Sequence, residues 1–246
     1  MLLRRVVVGW AMLLSLGWAP QDTPKRGLVT FVEGTAKKQG IQETDWSSVQ
    51  LHSEVSTGER LRTFNDSRAE LDLAKLDRIR LAPKTTIEIL KLYEETKEKV
   101  LESQIALQRG DLWANVAKKP GGLKFAISTP VAAAAITGTT LRLHVDPDSS
   151  AELKVYSGEV VLRRQTAPAQ GAVKSLAPHQ IDGPQQVSGP QQVSMEQWTL
   201  IVRSMQKARI DKKGQVIQSG AFSEQDADEN QDWVKWNRER DQAQQR

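Results

Sequence analysis

The sequence predicts a mainly β fold: one domain of many short strands over residues 27–164, then a linker, then one or two C-terminal α-helices. Three observations carry this reading. Apolar and polar residues alternate with a period of two through the first two thirds of the chain, glycines recur where the alternating runs begin, and large aliphatic residues thin out after Arg164. Leu, Ile, Val and Phe together number 59 of 246 residues, enough for a real core, and Gly and Pro are too few for a collagen-like chain.

The first element is an address. MLLRR is a short positive segment, and Val6 to Ala19 is an apolar run ending in the small-x-small triplet Gly17-Trp18-Ala19. The run is shorter than the roughly 20 apolar residues that span a bilayer, so it reads as a signal peptide over residues 1–19, followed by a linker over 20–26. Pro20 is a poor residue to cut before, which leaves cleavage nearby and retention as an anchor both open. Export implies a periplasmic or secreted protein, with membrane contact only through this segment if it is kept.

Strands follow. Ala69, Leu71 and Leu73 alternate with Arg68, Glu70 and Asp72; Ile87 and Ile89 alternate with Thr86 and Glu88; Leu101, Ile105 and Leu107 alternate with Glu102, Gln104 and Gln108. Each run is a strand with one buried face. Gly34, Gly58, Gly110 and Gly158 each precede such a run and read as corners, where a positive φ is needed. Between Tyr93 and Gln108, EETKEKVLES is rich in helix formers, but alternation on both sides favours a hairpin with its tip around Glu94 to Lys97.

The stretch 165–193 is Gln- and Pro-rich and contains GPQQVS twice in succession, as expected of a solvated linker. A helical C-terminal segment over 194–246 is expected next. Ser194 to Gln197 fits a capping box, and Trp198, Ile201, Val202 and Met205 fall at i, i+3, i+4 and i+7 of an amphipathic helix packing on the β domain or in a partner's groove. From Ser223 onward seven acids and four bases surround Trp233 and Trp236, which reads as an exposed, partly formed helix whose two indoles could dock elsewhere.

The residues supply little chemistry. Cysteine is absent, which removes disulfides, thiolate metal sites and a lipidated cysteine. His52, His144 and His179 are scattered, so no metal site is expected. Phosphate loops, HExxH and the GxSxG elbow do not occur. Asp146 to Glu152 and Asp226 to Asn230 imitate the start of calcium loops but lack the turn glycine and the closing glutamate, so the first reads as a turn. An acid pair of the glycosidase type stays open, since nothing selects two of 30 acids. His144 lies on the polar face of its strand and reads as solvent-facing, whereas Trp113, opposite Leu112, Ala114 and Val116, and likewise Trp46, reads as either a packing contact or a platform for a flat ligand. Net charge is only +4, with the excess in residues 1–26, so no nucleic-acid partner is expected.

Six pieces in order resemble a known family. They are Gly58-Glu59-Arg60-Leu61-Arg62-Thr63, Ser67 to Leu73, Ile79 to Ile89, Gln108 to Leu112, Ser128-Thr129-Pro130-Val131-Ala132 with Thr137-Gly138-Thr139, and Val155 to Val160. Together they resemble the FecR-like domain. The resemblance implies an all-β, solenoid- or sandwich-like domain of the periplasmic iron-citrate transducer type, which contacts an outer-membrane transporter. Only a few residues precede the apolar segment, so the sigma-factor-binding region of that family is not expected here. The function expected is that of a non-enzymatic, exported cell-envelope binding or scaffold protein with a protein or glycan partner. The alternatives are a regulatory subunit in transporter-linked signalling and an enzyme acting on cell-wall polymer. No cofactor and no catalytic, cofactor-binding or metal residue is assigned, because Gly58, Gly110, Gly138 and Gly158 answer to backbone geometry.

Overall fold

The computed structural model describes residues 26–73, 77–95, 101–118, 124–165 and 198–244. The signal peptide, the linker over 20–26 except Arg26, the linker from residue 166 onward, the capping box and His179 therefore lie outside the described residues.

The chain is built from strands, as its alternation requires. In order they are β1 (Gly27–Glu33), β2 (Ala36–Gln39), β3 (Ser47–Ser48), β4 (Glu54–Val55), β5 (Arg60–Thr63), β6 (Arg68–Leu73), β7 (Asp77–Leu81) and β8 (Thr86–Glu95). Then come β9 (Leu101–Val116), β10 (Lys124–Ser128), β11 (Ala132–Val145), β12 (Ala151–Arg164), β13 (Thr199–Arg203), β14 (Gln206–Ile210) and β15 (Val216–Ala221). A 3₁₀ turn, Ala227–Asn230, leads into the helix α1, Asp232–Gln244.

All fifteen strands among the described residues share one hydrogen-bonded network, but β9, β11 and β12 are long and change neighbours half-way. The second half of β9 pairs with β7 and β11, and the first half with β8 and β10. Likewise β12 pairs with β14 through its first residues and with β13 through its last. The network thus folds into two layers. One runs β4-β1-β6-β7-β9-β11-β12-β14-β15, and the other runs β3-β2-β5-β8-β9-β10-β11-β12-β13. Leu71, Ile79, Leu112 and Leu143 of the first layer and Ile87, Ile105, Leu107 and Val160 of the second belong to a single buried cluster, so the layers pack face to face.

Glycine makes the bends possible. Gly110 has φ +94°, and a Cβ there would stand 2.6 Å from Thr85 Cα. At Gly158 φ is +87°, and a Cβ would meet the carbonyl oxygen of Gly138 at 2.5 Å. Both glycines lie inside continuous strands rather than at the entry to new ones, because hydrogen bonding resumes with a fresh partner on each side of the bend. The expected hairpin forms between β8 and β9, with residues 96–100 of its tip outside the described residues.

The amphipathic helix expected from residue 194 is a correction. Where residues 198–210 are described, they form the β13–β14 hairpin, with Ser204 and Met205 as its turn and Met205 at φ +59°. Trp198, Leu200 and Val202 also alternate with a period of two, and β12 offers them a long edge to pair with. Val202 is buried while Ile201, which the helical stripe would bury, is 42% exposed. Pairing along an existing strand satisfies backbone groups and apolar side chains together, so the tertiary partner overrides the local helical period. The exposed tail is a second correction: α1 forms, but its Trp233, Val234, Asn237 and Asp241 are buried against the first layer.

Candidate interaction site

The outer face of the first layer carries charge instead of ordinary solvent-exposed polar residues. Register places Glu70 of β6 beside Arg80 of β7, Arg80 beside Trp113 of β9, Trp113 beside Arg142 of β11, and Arg142 beside Lys154 of β12. These occupy the polar positions of their alternating strands, yet Arg80, Lys154 and Glu70 keep only 1%, 2% and 3% of their side-chain surface exposed.

The C-terminal segment covers them. Arg80 donates to Glu70 Oε2 at 2.6 Å and to Asp241 Oδ1 at 2.7 Å, while the Trp113 indole donates to Asp241 Oδ2 at 2.9 Å. Arg240 closes the network by donating to Glu70 at 3.1 and 3.2 Å. Further along, Lys154 donates to Glu229 Oε1 at 2.9 Å and to Asp228, and the Tyr156 hydroxyl donates to the same Glu229 oxygen at 3.2 Å. Burial would raise the Glu70 pKa, but the hydrogen bonds from Arg240, Arg80 and Thr30 outweigh it and lower the value to about 2. Burial likewise opposes the charge on Lys154, and its carboxylate partners still hold its pKa above the usual lysine value.

Trp113 is a packing contact, stacked on Tyr156 with centroids 4.5 Å apart and 1% exposed, so it offers no platform. Trp46 is half-buried under the Arg62 guanidinium, 4.6 Å from the ring centroid. Trp233 and Trp236 stack at 5.5 Å, and Trp233 donates to Asp111 Oδ1 at 3.1 Å.

His144 is not simply solvent-facing. Its Nδ1 stands 3.4 Å from Asp111 Oδ2, an ion-pair contact longer than a good hydrogen bond, and its Nε2 lies 3.2 Å from Asp146 Oδ1. Asp111 first, and then Asp146, hold the imidazole pKa above its usual value despite burial. Asp111 titrates low: burial opposes its charge, and His144 and Arg142 override that. These groups open onto a cleft of about 350 Å³ between sheet and 3₁₀ turn, walled in part by Asp111, His144, Asp146, Glu152, Arg209 and Asp228. Its charges are already matched, with Arg142 2.6 Å from Asp111 and Arg209 3.3 Å from Asp146.

Ser150 Oγ donates to Asp146 Oδ2 at 3.0 Å while His144 meets the other oxygen. The carboxylate therefore sits between hydroxyl and imidazole, where a nucleophile–base–orienter series would need the imidazole in the middle. Asp146 to Ser150 is the expected turn, closed by Ser149 N donating to Asp146 O at 2.9 Å. The second calcium-loop imitation is the 3₁₀ turn, whose Asp228 and Glu229 are engaged by Lys154. Among the described residues, no group of three or more potential ligands is placed to hold a metal ion, and no helix is long and apolar enough to cross a membrane.

Sequence reasoning missed the buried row Glu70–Arg80–Trp113–Arg142–Lys154 and the His144 pairings. Glu70, Arg80, Arg142 and Lys154 are visible as polar breaks in apolar alternations and Trp113 as the residue opposite an apolar face, but the cross-strand register that aligns them is not.

Comparison with known proteins agrees with the motif order. No curated protein matches the chain. Two crystal structures, at 1.65 and 2.50 Å resolution, of "a putative anti-sigma factor" from Parabacteroides distasonis ATCC 8503 are similar at 11% identity and a TM-score of 0.44. Each comparison covers 67% of this chain, which spans 60% of the length of that one. Residues 59–161 match the family described as FecR protein, from the Gly58 corner through the end of the bend in β12. Over those residues the chain is similar to the FecR protein family.

Proposed function

We propose that the protein is a non-catalytic binding component of a cell-envelope regulatory system, and that a partner protein adds a strand to its sheet along β15. The observation carrying this is the state of the sheet edges. β3 and β4 are two residues long, too short to template another strand, and β13 ends on Arg203, paired with Glu159. Among the described residues, β15 has no such protection. All six of its residues are exposed, none is charged or proline, Ile217 is 59% exposed, and β14 is its only neighbour among the described residues. Soluble proteins blunt such edges with lysine, proline or a covering loop, because an open row of N–H and C=O groups recruits strands. An uncharged six-residue edge left open on a folded body fits a docking site. The FecR-like domain supports a regulatory setting, and the apolar N-terminal segment supports an envelope location.

The test is retention of a crosslinked envelope partner on immobilised full-length protein. Ile217→Lys and Ser219→Lys place a charge on the edge and should abolish retention of the protein captured by the wild type, whereas Ile217→Val should keep it. Equal capture by all three variants would overturn the reading.

A further inference from the structure

The C-terminal segment differs from an ordinary capping helix in what it touches. The core between the two layers is complete without it: that cluster contains no residue beyond Ile210. Beneath the helix lies a separate cluster of only four buried apolar residues, Ala82, Trp113, Trp233 and Val234. Tyr156 and Trp236 pack against that cluster at partial burial, Trp236 also meets Phe31 and Phe222 meets Tyr156 edge-on, and the other described contacts holding the segment are polar or ionic. Three of its acids, Asp228, Glu229 and Asp241, satisfy two buried cations, Lys154 and Arg80. Arg240 answers Glu70, Asn237 accepts from Arg80 at 3.3 Å, and Asp232 pairs with Arg68. A helix retained only for stability would do as well or better with apolar contacts, since well-packed hydrophobic residues commonly equal or exceed buried ion pairs. What ionic partners add is selectivity for one ligand and against others.

We infer that the outer face of the first layer is a recognition surface for an acidic, tryptophan-bearing helical segment, and that residues 222–244 are its resident occupant in cis. The partner is a protein carrying a helix with two aromatic residues at i, i+3 and a carboxylate five residues beyond the second, the spacing of Trp233, Trp236 and Asp241. The surface reads that helix at three places. Arg80 and Trp113 together take one carboxylate through both of its oxygens, Phe31 and the Arg68 guanidinium receive an indole at 5.4 and 5.3 Å, and Lys154 takes an acid N-terminal to the helix. While the chain's own segment occupies the face, the partner must displace it. Occupancy in cis has an effective concentration near millimolar, so only a partner that binds well or is held nearby competes. This inference does not rest on the β15 edge.

The experiment uses the full chain and a synthetic peptide of residues 222–246 as the probe. In one variant of the full chain the segment is disabled by Glu229→Ala, Trp233→Ala and Asp241→Ala, leaving every residue of the surface intact. That variant should bind the peptide at least about tenfold more tightly than wild type does, and added salt should weaken the binding. A peptide carrying the same three changes should not bind. No binding of the intact peptide by a variant that keeps its β circular dichroism would overturn the inference. Should the variant fail to fold, hydrogen exchange on the wild-type chain decides. Amides of α1 should exchange at least about tenfold faster than those of β9, β11 and β12, through opening of the segment alone. Exchange of α1 only together with those strands would overturn the inference. A concentration-dependent dimer with exchanged C-terminal segments would also overturn it, by making the occupant a second copy.

Discussion

Individual residues bear unequal loads in this architecture. Gly110 and Gly158 hold backbone conformations that side chains reach only with strain, and each has backbone atoms where a Cβ would go. Gly110→Ala should therefore lower stability by about 2 kcal/mol or more, measured by chemical denaturation; an unchanged midpoint would show that the bend tolerates a side chain. Arg80 is the most enclosed charge of the outer face. Arg80→Ala should cost about 3–5 kcal/mol, because it leaves the Glu70 carboxylate buried with one partner fewer, whereas the double change Glu70→Leu with Arg80→Met should cost much less. His144 gives the pH dependence its sign. Its pKa is raised in the folded state, so its contribution is fully present below the ordinary value near 6.5 and fades as pH rises through the higher folded value. The gap in stability between wild type and His144→Ala should thus be wider at pH 5.5 than at pH 8.5 by denaturation. Glu70 works in the other direction: its pKa of about 2 makes its contribution present above the ordinary 4.5 and lost in strong acid.

At the scale of elements, the strands of the β domain were legible because they are half-buried, and half-burial writes a period of two into the sequence. The corner glycines were legible for the same local reason. Residues 198–210 were not, because Trp198, Ile201, Val202 and Met205 satisfy a helical period while Trp198, Leu200 and Val202 satisfy a strand period. Only the edge of β12, distant in sequence, decides between them. The docking of α1 was hidden more deeply. Arg80 and Asp241 are 161 positions apart, and Trp113 and Asp241 are 128 apart. Such pairs leave no periodic trace, and a mixed-charge tail reads as solvated. The same logic predicts that the exposed strand β15 tolerates change. Ile217→Lys should shift stability by no more than about 0.5 kcal/mol in denaturant titration, because that residue is largely in water and its loss empties no core. A larger loss would mean that β15 belongs to the folding unit rather than to a docking edge.

For the whole molecule, a body with its own closed core presents two separable surfaces, an open strand edge at β15 and a charged face held shut by the C-terminal segment. Both surfaces suit the binding role proposed above. The most direct test places a photo-crosslinking residue at position 217 of the chain, incubated with an envelope extract, with controls at Ile41 and Leu51, which are 71% and 55% exposed. This account predicts one protein adduct from position 217 and none from 41 or 51; adducts from the controls with none from 217 would contradict it.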